Sequence, residues 1–271
     1  MNHRKHGKCT VTKVIVVLFI ISQFLPLIAA YADDVDKKEI GTWSIEDYSD
    51  HDGINDLDYA HFEAYQWYQY LGGNGYSREV RNLDDDAEEA HWECATFGGD
   101  DTVDDLDAIY FTGHGFSVLF AFNLDTDGDD ECERFVSPFE CEWGEDDLEW
   151  IYLHCCSALD EGDKTDWNYA FDGLHGICGF DTVSYVWSDG RTGYYTAYYI
   201  VQGYSVGDAW KTATENTQFS NVTAAIYRAQ IWIDSQVYDY YDEELDEGWI
   251  DYTDPWVSLY GIIYTSWDGE C

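Results

Sequence analysis

"AIYFTGHG", Ala108–Gly115, is an apolar run that stops at a histidine between two glycines. A second apolar run, "WIYLHCCSAL" from Trp150 to Leu159, stops at two adjacent cysteines. Short continuous apolar runs are typical of strands buried on both faces, as in parallel sheets. His114 and Cys156 each stand just beyond such a strand. Since ligands of α/β sheets bind at the carboxyl ends of strands, neighbouring parallel strands would bring both side chains to one edge.

Strand patterns alternate with helix patterns through the first two-thirds of the chain, which predicts an α/β fold with a mainly parallel sheet flanked by helices. "DLDYAHFEAYQWYQYLGG" has helical spacing, "DDDAEEAHWEC" predicts a second, acidic helix, and "DWNYAFDGLHGICGF" predicts a helix that runs into a glycine-broken turn. In "SVGDAWKTATENTQ", Ser205 is the expected N-cap.

The remaining patterns predict strands. "SVLFAFNLDTDGDDECERFV" indicates an added hairpin with an acidic turn, and "DTVSYVWSDG" and "NVTAAIYRAQIWI" predict two more strands. The aromatic C-terminal region is expected to end in "VSLYGIIYTSW" as an edge or covering strand.

The first 32 residues predict a secretory signal peptide. Basic residues come first, an apolar stretch follows from Val14 to Ala29, and Ala30-Tyr31-Ala32 is a small-x-small cleavage site. We therefore expect residues 33–271 to form a single secreted or cell-surface α/β domain. A retained membrane anchor is the alternative, and this segment would then be the only membrane contact.

The predicted mature chain is strongly acidic. It holds all 55 Asp and Glu residues but only nine of the 13 Lys and Arg residues, so its formal charge is −46. Phosphate would be repelled, which excludes nucleic acid as a partner. Such acidity is typical of halophilic proteins, because salt screens the self-repulsion. The 12 Trp, 23 Tyr and 13 Phe residues supply a large core, which speaks against disorder.

Seven cysteines remain after the predicted signal peptide. Secretion predicts disulfides, and the odd count leaves at least one thiol unpaired. Cys132 and Cys141 are the first candidate pair. Adjacent cysteines in a strand face opposite ways and rarely bond each other, so Cys155 or Cys156 is the expected free thiol. In the alternative, both are disulfide halves, paired with cysteines such as Cys178 and Cys94.

The two strand ends resemble the signature of the caspase-like cysteine peptidases: caspases, legumains, gingipains and clostripain. "AIYFTGHG" is similar to their histidine block and "WIYLHCCS" to their nucleophile block, with a separation of 42 residues from His114 to Cys156 that is also similar. Uncharacterised secreted archaeal and bacterial proteins with the same blocks are similar too. The resemblance covers Asp107–Phe180. It implies a caspase-like fold, a catalytic dyad of His114 and Cys156 assisted by the backbone N–H of Gly115, and a peptide or protein substrate.

The residues themselves fit that chemistry. A histidine within reach of a thiol can activate it as a nucleophile and then protonate a leaving amine. The N–H groups of Gly115 and Cys156 could form an oxyanion hole. His154 is expected to be structural, and His175 is a second candidate ring for the site. No cofactor is required, and nothing in the pattern indicates an oligomeric state.

The sequence contains two candidate metal sites. Asp125, Asp127 and Asp129 alternate around a glycine as calcium ligands do, but Val136 stands where an EF-hand loop needs its bidentate acid. A solvated hairpin turn is the alternative. Zinc could be bound by His114, Cys155, Cys156 and His175, although their spacing matches no standard zinc motif.

Two other functions remain open. One is a non-catalytic extracellular surface or binding module with the same fold, stabilised by disulfides and calcium. The other is a calcium- or zinc-stabilised extracellular structural protein.

Overall fold

The computed structural model describes residues 38–49, 53–100, 102–123, 134–233, 235–245 and 258–270. Residues 37–271 form one compact unit. The predicted signal peptide, the predicted calcium ligands Asp125, Asp127 and Asp129, and Cys132 and Cys271 lie outside the described residues.

The described ranges contain eleven strands and three α-helices. The strands are β1 (Glu39–Ser44), β2 (Ser77–Leu83), β3 (Ala108–Thr112), β4 (Gly115–Phe116), β5 (Leu119–Ala121), β6 (Phe135–Val136), β7 (Trp150–His154), β8 (Gly176–Phe180), β9 (Thr223–Ile233), β10 (Gln236–Asp239) and β11 (Ser258–Asp268). The helices are α1 (Ala60–Gly72), α2 (Arg191–Val201) and α3 (Val206–Thr217). None of the helices in these ranges is long and apolar enough to cross a membrane.

Eight strands form one mixed sheet in the order β10-β9-β8-β7-β3-β1-β2, with β11 also paired to β9. The pairs from β2 to β8 are parallel, whereas β9 is antiparallel to β8, β10 and β11. The α/β class is confirmed, but the expectation of a mainly parallel sheet is wrong. The reason lies between β8 and β9, where the chain forms two helices joined by only four residues, Gln202–Ser205. A helical hairpin returns the chain to the edge it left, so β9 runs back along β8.

The strand order reverses at β1, the second strand from one edge of the sheet. The chain goes from β1 outward to β2 and then crosses to β3 on the other side of β1. The carboxyl ends of β1 and β3 therefore border a topological switch point, the place where open α/β sheets bind their ligands.

The two faces of the sheet are covered differently. The three α-helices of the described residues pack on one face, where Trp67 of α1 and Trp210 of α3 are fully buried. The other face is covered by the three-stranded sheet β4-β5-β6 and by 3₁₀ turns, around buried indoles such as Trp92 and Trp143. The helices of the described residues thus flank one face of the sheet. The sequence predicted flanking helices but did not specify a face.

Several local predictions are confirmed. α1 ends at Gly72, and Ser205 caps α3 by accepting a hydrogen bond from the Asp208 N–H at 3.2 Å. β5 and β6 pair antiparallel as the flanks of the predicted hairpin, whose tip lies outside the described residues. β11 is the predicted C-terminal strand.

Three local predictions are wrong. The acidic helix is replaced by two short 3₁₀ turns, Asp84–Asp86 and Glu89–His91. The helix predicted in "DWNYAFDGLHGICGF" is a 3₁₀ turn, Lys164–Tyr169, followed by the buried strand β8. The strand predicted in "DTVSYVWSDG" is an irregular segment, residues 181–190, and it leads into α2, which the sequence did not predict.

Candidate active site

The pairing of β3 with β7 sets the positions of His114 and Cys156. The two strands are parallel neighbours, and their last residues, Thr112 and His154, are paired. His114 and Cys156 each follow two residues later, so both lie at the carboxyl edge of the sheet. The prediction that they occupy the carboxyl ends of adjacent parallel strands is confirmed.

The ring of His114 is oriented by a backbone carbonyl. Its Nε2 lies 2.8 Å from the carbonyl oxygen of Asn55, in the segment that precedes α1. A carbonyl oxygen can only accept a hydrogen bond, so Nε2 must carry the proton of the neutral ring. The other nitrogen, Nδ1, then has a lone pair and can act as a base.

Tyr48 holds the backbone and the ring of His114. The Tyr48 hydroxyl accepts a hydrogen bond from the His114 N–H at 2.8 Å and donates one to the carbonyl of Ala121 at 3.2 Å. The two rings pack with their centroids 4.9 Å apart. Burial raises the pKa of Tyr48 far above its usual value, so the hydroxyl keeps the proton that it donates.

Cys155 and Cys156 have different environments. Cys155 is buried in the core on the face away from the α-helices, where burial and the neighbouring Cys156 raise the pKa of its thiol. Cys156 is half-buried, and its Sγ lies 3.8 Å from the carbonyl oxygen of Ser184. Of the two cysteines, Cys156 is therefore the one that solvent can reach.

Gly115 is required where the two strand ends meet. A Cβ at this position would lie 2.5 Å from the Cys156 carbonyl oxygen and 2.9 Å from the Cys155 Sγ. Gly115 pairs with Phe120 while the ladder bond runs from the Ala121 N–H to the His114 carbonyl. Gly115 is thus the non-hydrogen-bonded member of that ladder, and its own N–H is directed away from β5.

A buried polar network holds the segment beside Cys156. Gln218, fully buried, accepts a hydrogen bond from the Tyr185 N–H at 3.0 Å and donates to the Tyr185 carbonyl at 2.9 Å. His154 Nε2 lies 3.2 Å from the same carbonyl, and its Nδ1 lies 3.1 Å from the Tyr110 hydroxyl and 3.6 Å from a carboxylate oxygen of Glu63. His154 is structural, as predicted.

Sequence reasoning missed Tyr48, Asn55 and Gln218. Each acts through contacts with residues far along the chain, so no local pattern could have identified them. The topology offers one indication of these residues: Tyr48 lies just after β1, at the switch point of the sheet.

His175 does not join the site. It directly precedes β8, whose first residue Gly176 is paired with Trp150, the first residue of β7. His175 therefore lies at the amino edge of the sheet, opposite His114 and Cys156. A zinc site that combines these residues is ruled out by the topology.

Four cysteines of the described residues, Cys94, Cys155, Cys156 and Cys178, are free thiols. The alternative in which Cys155 and Cys156 pair with Cys178 and Cys94 is therefore wrong. The predicted Cys132–Cys141 pair stays a prediction, because Cys132 lies outside the described residues.

A cavity of about 370 Å³ lies between the segment that follows β1, the start of α1, and β2. It does not include His114 or Cys156. Its lining mixes acidic, basic and aromatic side chains: Glu46, Asp58, Tyr59, His61, Phe62, Tyr65 and Arg81.

The fold and this edge define an α/β protein in which a carbonyl-oriented histidine and a thiol stand at the ends of neighbouring parallel strands. Residues 42–252 match the family described as "Domain of unknown function (DUF6345)", so the chain belongs to that family. The matched range contains both strand ends. No curated protein matches the chain.

Proposed function

We propose that this protein is a secreted cysteine-peptidase-like hydrolase with a caspase-like fold, in which Cys156 and His114 act on peptide bonds. The observation that carries the proposal is the His114–Asn55 contact. It fixes Nε2 as the protonated nitrogen and leaves Nδ1 as a base, at the strand end next to the one that carries Cys156. A Cys–His pair needs such a base within reach of the thiol for nucleophilic catalysis, which supports the proposal.

In the proposed reaction, His114 Nδ1 takes the thiol proton of Cys156, and the thiolate attacks the carbonyl carbon of a peptide bond. The oxyanion that forms accepts a hydrogen bond from the Gly115 N–H. As the C–N bond breaks, the imidazolium gives its proton to the leaving amine, and a thioester remains on Cys156. Water, deprotonated by His114, then attacks the thioester and releases the carboxylic acid product with the free thiol.

The backbone of Asn55 has a specific part in this sequence. When His114 is protonated on both nitrogens, its Nε2–H still donates a hydrogen bond to the Asn55 carbonyl oxygen, whose partial negative charge faces the positive ring. That contact stabilises the imidazolium and prevents the ring from turning, so the same nitrogen serves first as base and then as acid.

A second candidate function is a non-catalytic extracellular binding module. It is favoured by the environment of Cys156, which is half-buried with its Sγ 3.8 Å from the Ser184 carbonyl oxygen. A thiol in that position can also serve as a small packing group.

The test compares the purified protein with three variants on a mixed peptide library, read by mass spectrometry. We expect Cys156→Ala to abolish hydrolysis and His114→Ala to do nearly the same, because the two residues act as one unit. Cys155→Ala is the matched control and should keep turnover, since its side chain faces the other side of the sheet. Circular dichroism reports whether each variant is folded.

Labelling with an electrophilic thiol probe adds an assay that needs no substrate. We expect the probe to modify Cys156 and the labelling rate to fall in His114→Ala. Full hydrolysis in Cys156→Ala would refute the assignment. A wild-type protein that neither cleaves the library nor labels faster than its His114→Ala variant would favour the binding module.

A further inference from the structure

A second cluster of ligand-type side chains lies at the opposite edge of the sheet. Glu149 directly precedes β7, His175 directly precedes β8, and Glu243 follows the 3₁₀ turn Tyr240–Asp242. Each residue offers one nitrogen or oxygen atom, and these three atoms lie within 4.8 Å of one another. Because β7 and β8 begin here, the cluster is separated from His114 and Cys156 by the length of both strands.

The side chains of the cluster are held in place by the surrounding fold. His175 Nδ1 lies 3.0 Å and 3.1 Å from the two carboxylate oxygens of Glu243, and Trp150 Nε1 donates to one of these oxygens at 2.6 Å. The His175 ring stacks on Tyr240 with centroids 3.8 Å apart. The Glu243 backbone is fixed by the Val206 N–H, which donates to its carbonyl at 2.7 Å. Such supporting contacts are typical of the surroundings of metal ligands.

The cluster is largely shielded from solvent. Glu243 is fully buried and His175 is 2% exposed, while Glu149 is half-buried. Two carboxylates and one imidazole thus converge on one small region, where a divalent cation would interact strongly with both carboxylates because little water screens the charges.

We propose that Glu149, His175 and Glu243 bind a divalent transition metal ion, for which zinc is the first probe. One imidazole and two carboxylates are a donor set that zinc accepts, with a water molecule in the fourth position. Ligand atoms at about 2.0–2.1 Å from zinc stand roughly 3.3 Å apart in a tetrahedron. The His175–Glu243 separations already have this size, so Glu149 has to approach by no more than about 1.5 Å. Its half-buried position gives the ion a route from solvent.

The ion would have a structural role. It would join the starts of β7 and β8 to the turn at Glu243, which lie far apart in the sequence. Loss of the ion should therefore lower thermal stability and leave the chemistry at Cys156 unchanged.

The experiment uses the Cys156→Ala protein, so that zinc bound by the thiol and His114 does not count. After chelation and dialysis, zinc is added and the protein is analysed by elemental mass spectrometry and thermal unfolding. We expect one equivalent of zinc and a rise in melting temperature of about 5–10 °C at a hundredfold excess over Kd.

Four further variants in this background separate the cluster from general binding to an acidic protein. Glu149→Gln should lose the zinc equivalent and the temperature shift, and His175→Gln should do the same. Glu142→Gln, an exposed acid in the same segment, should keep both. Replacing Asp125, Asp127 and Asp129 by Asn removes the acidic turn as a rival binder and should also leave zinc bound.

The inference is overturned if the parent takes up no zinc, or if Glu149→Gln and His175→Gln bind it as the parent does. Either result leaves the proposed hydrolase untouched, because hydrolysis is measured at the other edge of the sheet.

Discussion

Replacing Tyr48 by phenylalanine removes one hydroxyl and keeps the ring that packs on His114. The hydroxyl bridges the His114 N–H at 2.8 Å and the Ala121 carbonyl at 3.2 Å, and the Tyr48 and Ala121 side chains are fully buried. A buried polar group that loses its partner costs about 1–3 kcal/mol. Since the His114 N–H is only partly buried, we expect Tyr48→Phe to lower the free energy of unfolding by about 2–3 kcal/mol.

That loss corresponds to a fall in melting temperature of about 5–10 °C for a domain of this size. The histidine also loses its anchor, and a small displacement of a catalytic group can lower turnover up to about a hundredfold. We therefore expect slower alkylation of Cys156 by iodoacetamide and slower peptide hydrolysis at temperatures where the variant is folded.

Tyr169→Phe is the matched control, because Tyr169 is 65% exposed and should tolerate the same change. If Tyr48→Phe melts within about 1 °C of the parent, the hydroxyl bridge does not contribute as described. If it is destabilised but Cys156 alkylates at the parental rate, Tyr48 supports the fold and does not position His114.

Four other outcomes are expected. Gly115→Ala should reduce hydrolysis at least about a hundredfold, since its Cβ would lie 2.5 Å from the Cys156 carbonyl oxygen. Circular dichroism should show that the helices persist, and parental activity would contradict the close approach. Gln218→Leu should lower the free energy of unfolding in urea by about 1–3 kcal/mol, because the Tyr185 N–H loses its buried partner and the Tyr185 carbonyl is left with the His154 contact; an unchanged urea midpoint would count against this. Burial raises the pKa of Asp104 from 3.8 to about 6, so the folded state holds its proton to higher pH than the unfolded state does. The free energy of unfolding should therefore fall by about 2 kcal/mol as pH rises from 4 to above 6. Asp104→Asn should flatten that dependence in urea titrations at each pH. The melting temperature should rise from dilute buffer to molar salt, because salt screens the formal charge of −46 on residues 33–271, and a flat profile would refute the halophilic interpretation.

The elements that the sequence predicted well are those whose signal is local. The apolar runs at β3 and β7 fix two buried strands, and their endings place His114 and Cys156. The spacing in α1 and the cap at Ser205 mark two helices by the chemistry of their own turns. For these parts, propensity, pattern and packing agree.

The parts that were mispredicted depend on distant partners. The acidic run after β2 has a helical composition, but Asp84 instead accepts hydrogen bonds from the N–H groups of Glu46 and Asp47, and His91 accepts one from the Trp43 indole. These bonds hold the run in short turns.

Residues 181–190 show the opposite case. Their Val, Tyr and Trp residues suit a strand, yet Gln218 takes both backbone groups of Tyr185 that a strand partner would need. His175 and Glu243 are 68 positions apart in the sequence, and no pattern in either segment predicts their contact.

The register of the central strands also bears on when the proposed pair of His114 and Cys156 can form during folding. β3 has β1 as one neighbour and β7 as the other, with Ala108 paired to Ile40 and to Trp150. Each pairing closes a long loop, and parallel contacts between distant segments form slowly. If the chain is exported unfolded, as a signal peptide would require, it would carry Cys156 as an ordinary thiol with no base beside it. Its latency in transit would then be a property of sheet topology, and folding at the destination would be the activating event.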